Sequence, residues 1–145
     1  MTERMKLAES ALRENAAACA LVCKDGTVVH SEKSGVQPLL GWLGQAPDLL
    51  KDACIADKVV GKAAAMLMHY GGVNEVYAEL ISDAAVEYLE QAHIPYQFSE
   101  KAPYILNRPQ TGMCPMEQKC MGLTSPDEAY VTLKNMVEGM RHGNH

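Results

Sequence analysis

Apolar residues recur along this chain in two rhythms, one at helical spacing and one in short continuous or alternating runs. Over residues 3 to about 16, Met5, Ala8 and Leu12 share one helical stripe, with Leu7 and Ala11 beside them, which predicts an opening amphipathic helix. In "CALVCKDGTVVHSEKSG", two runs rich in Val, Leu and Cys flank Lys24-Asp25-Gly26, and Asp-Gly between apolar runs predicts an antiparallel hairpin. From Gly35 to Asp52, Pro38, Gly41, Gly44 and Pro47 interrupt an apolar stretch, so short helical pieces that cap the sheet are expected. A helix from about Lys58 to Tyr70 follows, closed by Gly71-Gly72, and its content of Ala63, Ala64, Ala65, Met66 and Leu67 buries it on most sides.

"VNEVYAELI" predicts a strand over 76–81, Ser82 offers an N-cap to the helix "DAAVEYLEQAH", and "PYQFS" at 95–99 is a further strand. Two strands joined by a helix of about three turns should be parallel with a right-handed crossover, which makes the fold α/β. The apolar "YIL" at 104–106 is a candidate fifth strand, and a loop and a short helix from Pro115 come after it. Ser125 at an N-cap, Pro126 at the first helical position and acids in the first turn predict a last helix. No internal repeat or low-complexity linker divides the chain. We read 1–145 as one domain, with 1–16 and 124–145 as flanking helices.

Composition narrows the function. One chain of 145 residues supports one core and therefore one principal site. A net charge of -5 with scattered lysines and arginines excludes a nucleic-acid surface, which needs a basic stripe. The first fifteen residues carry charges every few positions, unlike a secretory signal or a membrane span, so a cytoplasmic protein is expected. Cys19, Cys23, Cys54, Cys114 and Cys120 form no C-x-x-C pair and imply neither a disulfide framework nor a structural zinc site.

The segments "ADKVVGKAAA", "GVNEVYAELIS" and "NRPQTGMCPMEQKC" resemble an uncharacterised family that shares the cytidine deaminase-like fold, over roughly residues 15 to 122. The resemblance implies a three-layer α/β/α sandwich around a mixed sheet of about five strands with an initial antiparallel hairpin. It carries no established activity. Zinc deaminases place His-x-Glu or Cys-x-Glu at one helix start and Pro-Cys-x-x-Cys at the next. Here the matching positions read Val60-Gly61-Lys62-Ala63 and Ile81-Ser82-Asp83-Ala84, so no zinc and no other cofactor is expected.

In such a fold the helix starts near Lys58–Lys62 and Ser82–Asp83 open at the carboxyl edge of the parallel strands. Their free N–H groups and positive dipole ends favour an anion. Lys58 and Lys62 would add charge, Gly61 would let a ligand approach, and Ser82, Asp83 and Asn107 complete the candidate binding set. The plainer alternative is that Asp57 caps the helix, the lysines are solvated and Gly61 serves packing. Cys114, just before the helix at Pro115, is a candidate nucleophile, with Glu117 or a lysine as acid/base partner and Lys62 as electrostatic stabiliser. Alternatively the cysteine fills a gap beside Met113 and Met116. Glu79 and Asp83 could share the pocket rim, which would favour a zwitterionic or nucleoside-like ligand.

The leading expectation is a binding domain without zinc for a small anionic or nucleotide-like molecule, with no nucleic-acid or membrane partner. The alternatives are a cysteine-dependent enzyme of group or sulfur transfer, and an interaction module using Trp42, Leu39 and Leu43, including self-association as a homo-oligomer.

Overall fold

A computed structural model describes residues 2–33, 35–105 and 113–141. Helix α1 spans Glu3–Glu14 and is capped by Thr2, whose Oγ1 accepts a hydrogen bond from the Met5 N–H at 3.2 Å. Its buried stripe is Met5, Ala8, Ala11 and Leu12, whereas Leu7 points outward and is 51% exposed. Strands β1 (Cys19–Val22) and β2 (Val28–Ser31) form the expected antiparallel hairpin. Gly26 takes the left-handed conformation in its turn at φ 94°, and Asp25 Oδ1 accepts from the Thr27 N–H.

Helix α2 (Gln37–Gln45) and a run of turns lead to strand β3 (Cys54–Val60), which the sequence reading had absorbed partly into the next helix. Helix α3 spans Lys62–Gly71, so it begins four residues later than expected, and Lys58 belongs to the strand. A strand buried over most of its length shows no alternation, and its apolar run continues directly into a buried helix, so periodicity alone does not mark the boundary. β3 pairs antiparallel with β1 and parallel with β4 (Glu75–Ser82). Helix α4 (Asp83–Gln91) then connects β4 to the parallel strand β5 (Tyr96–Ala102).

The result is a mixed five-stranded sheet in the order β2-β1-β3-β4-β5, within the α/β class. The fifth strand is β3, not "YIL": Tyr104 and Ile105 lie outside any strand, and Leu106 falls outside the described residues. The chain closes with α5 (Pro115–Cys120) and α6 (Pro126–Arg141), the latter capped by Ser125, whose Oγ accepts from the Glu128 N–H.

Helices cover both faces. On one, among the described residues, α1 is the only helix that packs on Ala20, Val22, Cys54, Ala56 and Tyr77. On the other face α2 to α6 surround a larger core that includes Leu21, Ile55, Met66, Leu67, Val76, Leu89 and Leu133. α3 is its centre, and each large side chain it buries there contributes about 1.5–3 kcal/mol. Its end is fixed by packing as well as by its cap. A Cβ at Gly71 would meet Leu50 at 2.8 Å, and Gly72 caps the helix in the left-handed conformation at φ 86°. Among the described residues, no helix is long and apolar enough to cross a membrane.

Candidate functional site

The site is built on two helices that leave the carboxyl ends of adjacent parallel strands, α3 after β3 and α4 after β4. An uncapped helix start leaves several N–H groups without partners. At α3 the local sequence supplies no capping side chain, because the N-cap residue is Gly61. The cap comes instead from α5. Glu117 Oε1 accepts from the Lys62 N–H at 2.6 Å and Oε2 from the Ala63 N–H at 2.8 Å. Gly61 is extended, at φ -100° and ψ -177°, a conformation open to any residue. Its glycine is required for space, since a Cβ there would overlap the Glu117 carboxylate.

The carboxylate thus takes the place expected for a bound anion at this helix. Burial raises the Glu117 pKa, while the two N–H bonds and the neighbouring Lys62 charge work the other way. Cys120 is buried beside it, and burial together with the charge of Glu117 pushes its thiol up to about 11. The Lys62 ammonium donates to the Met121 carbonyl at 3.0 Å, which ties α3 to the segment after α5.

At α4 the cap is local. Ser82 is buried and its Oγ accepts from the Ala85 N–H at 3.1 Å, as its N-cap position predicts. Asp83 is exposed and points toward β5, with Oδ1 3.7 Å from Lys101 Nζ. Between α3, the flank of α4 and the segment after α5 lies a hollow of about 180 Å³, lined by Lys62, Ala84, Glu87, Tyr88, Gln91 and Thr124, with Met121 and Leu123. The Tyr88 hydroxyl lies 2.7 Å from His69 Nδ1, which fixes that wall.

The remaining expected site residues are dispersed. Lys58 is exposed on β3 and lines a different hollow with Arg13, Tyr77, Glu79 and Ser99, so Glu79 and Asp83 do not share a rim. Asp57, considered as a helix cap, is a strand residue, 4% exposed and opposite Cys19 in the β1–β3 register. Its Oδ1 accepts from the Val59 N–H at 3.3 Å, while Oδ2 has no partner among the described residues. Burial pushes the Asp57 carboxyl up to about 7, and burial next to Asp57 also raises the Cys19 thiol.

Cys114 is half-buried at the N-cap of α5, a helix of six residues, and its side chain makes no capping bond. Both oxygens of Glu117 are engaged at α3, so the acid/base partner expected for Cys114 is committed elsewhere. Asn107 lies outside the described residues. Leu39 and Leu43 are buried in the core and form no partner surface with Trp42. Sequence reasoning missed Glu87, Tyr88, Gln91 and Thr124 on the walls of the hollow, and the capping of α3 by Glu117. Gly61 before an otherwise apolar helix was the available signal, since such a glycine marks a close approach.

Zinc deaminases hold their metal at two helix starts of this kind, and the residues at these two do not fit it. The side chains of Gly61 and Ala63 offer no ligand atom, Ser82 Oγ caps its own helix, and each oxygen of the Glu117 carboxylate already accepts an N–H.

Residues 7–137 match the family described as TM1506, domain of unknown function (DUF1893). The fold is similar to that of a solved DUF1893 family protein, TM1506 from Thermotoga maritima. That similarity has a TM-score of 0.84 at 22% identity and covers 94% of this chain and 91% of that one. No curated protein matches the chain. With the match extending over nearly its whole length, this chain belongs to the DUF1893 family.

Proposed function

We propose that the chain is a ligand-binding domain of cytidine deaminase-like type that works without zinc and holds a small anionic or nucleotide-like molecule against Lys62. The fold assignment is supported by the strand order β2-β1-β3-β4-β5, with a lone helix on one face and two helices starting from the ends of β3 and β4. The observation that carries the binding reading is the Lys62 ammonium. It lines the hollow between α3 and α4 and rests on the Met121 carbonyl, with no ion-pair partner among the described residues.

The chemistry of the walls limits the occupant. Lys62 attracts an anionic group, and Glu87 repels a bare polyanion while accepting from an amino or ring N–H donor. A volume near 180 Å³ is the scale of one ring, since a cavity of about 150 Å³ admits benzene. The reading therefore favours a one-ring or amino-acid-sized molecule carrying both a negative group and a donor. Tyr88 offers an aromatic wall, and Gln91 and Thr124 offer hydrogen bonds.

A thermal-shift screen against phosphate, nucleosides, nucleotides and small zwitterions tests this, run on the wild type and on Lys62→Ala. A ligand at 100 times its Kd stabilises the native state by about 2.7 kcal/mol, a readily measured rise in Tm. The expected result is stabilisation by one class that disappears in Lys62→Ala. A shift of equal size in the variant, or none from any class, overturns the reading.

A further inference from the structure

β5 is the last strand in the sheet order, and among the described residues nothing pairs with its outer edge. Its seven residues, Tyr96 to Ala102, read "YQFSEKA", without a proline, and Gln97 to Lys101 are all exposed. Natural edge strands are guarded by shortness, bulges, prolines or outward lysines. The opposite edge, β2, has only four residues. In β5 the one cation, Lys101, is drawn toward Asp83 at 3.7 Å, and the aromatic Phe98 is 41% exposed, stacked on Tyr96.

The hydrogen-bond phase of this edge follows from the ladder. The Val76 N–H donates to the Pro95 carbonyl, so in parallel pairing Gln97, Ser99 and Lys101 turn their backbone groups toward β4. The N–H and C=O groups of Tyr96, Phe98, Glu100 and Ala102 then face outward.

We propose that β5 is a self-association edge, on which a second copy of this chain adds its own β5 antiparallel about a two-fold axis at Ser99, joining two sheets into one. The sequence is self-complementary in this register. Phe98 stands opposite Glu100 of the second copy and Tyr96 opposite Ala102, and both are outward-facing pairs. The symmetric set supplies about eight hydrogen bonds. Gln97 stands opposite Lys101, and no like charges oppose each other. Shifting the axis to Glu100 would place that carboxylate against its own copy and lose a pair. In the Ser99 register Phe98 is also diagonal to its symmetry mate, within reach of an aromatic contact.

Sedimentation and light scattering on the full chain test the proposal at up to about 100 μM, together with two variants. Glu100→Pro removes an outward N–H and leaves the β4 ladder intact. Ser99→Cys places thiols at a non-hydrogen-bonded antiparallel pair, where the Cα separation of about 4.5 Å accepts a disulfide. The expected results are a mass twice the 15.8 kDa of one chain, a monomer for Glu100→Pro, and an intermolecular Ser99→Cys crosslink that neither the wild type nor Gln97→Cys forms. If Glu100→Pro fails to fold, the crosslink pattern decides. A chain that stays monomeric, even one that captures an extended peptide, overturns the proposal. So does a dimer in which Ser99→Cys does not crosslink.

Discussion

Replacing Gly61 with alanine should expel the Glu117 carboxylate from the start of α3, and a double-mutant cycle can isolate that effect. The backbone at Gly61 is extended, so alanine carries no conformational penalty of its own there. The three atoms its Cβ would meet first all belong to the carboxylate of Glu117. Two hydrogen bonds, from the Lys62 and Ala63 N–H groups, are lost when that carboxylate leaves. Bonds to a charged group are worth about 1.5–3 kcal/mol each, and part of that returns as water solvates the released groups, so Gly61→Ala should cost about 2–4 kcal/mol. Glu117→Ala removes the same bonds and should cost a similar amount. In the double variant that carboxylate is already gone, so adding Gly61→Ala to Glu117→Ala should cost less than about 0.5 kcal/mol, giving a coupling of about 1.5–4 kcal/mol. Urea unfolding of the four proteins, with m-values compared for two-state behaviour, measures the cycle. Additive costs would refute the argument, because they would mean that Gly61 and Glu117 act on stability through separate contacts.

Two further predictions concern single residues. Asp57 has its carboxyl raised from an ordinary 3.8 to about 7, so the folded chain keeps a proton that the unfolded chain releases over that window. Its contribution is present below pH 4 and is lost as pH rises to 7, at about 1.4 kcal/mol per pH unit and about 4 kcal/mol in total. Asp57→Asn should therefore gain stability relative to wild type as pH increases from 4 to 8 in chemical denaturation, and a difference independent of pH would contradict this. Ser82→Ala leaves the Ala85 N–H of α4 without its partner and should cost about 1 kcal/mol in the same assay, with Ser82→Thr recovering most of it.

Local chemistry made much of the fold legible. The stripe of Met5, Ala8 and Leu12, the Asp25-Gly26 turn, the Ser82 and Ser125 caps and the parallel pairing of β4 with β5 each follow from residues a few positions apart. β3 was obscured because "CIADKVV" runs into "GKAAAMLM" without a change in hydrophobic density, and Asp57 imitated a helix cap. "YIL" had the composition of a strand, but Tyr104 and Ile105 lie outside the sheet, and the Ile105 carbonyl accepts instead from the Cys114 N–H at 2.9 Å. The Ser82 cap was legible because a serine before a helix is a local signature, whereas the start of α3 at Lys62 was expected four residues earlier. The Glu117 cap was not legible, since it joins residues 55 apart in the chain through an oxygen that any exposed glutamate also possesses. Only the glycine at 61 recorded that meeting in the sequence.

The lone helix on one face of the sheet carries a consequence for how the chain is made. α1 is synthesised before the strands it covers, and its apolar stripe packs on β1, β3 and β4, the last of which ends at Ser82. At about 5–20 residues per second, the interval between completing α1 and completing β4 is about 3–14 s. For that time Met5 and Leu12 have no finished surface to bury against. The nascent chain is then most open to capture by chaperones in its first half, before the parallel half of the sheet has emerged.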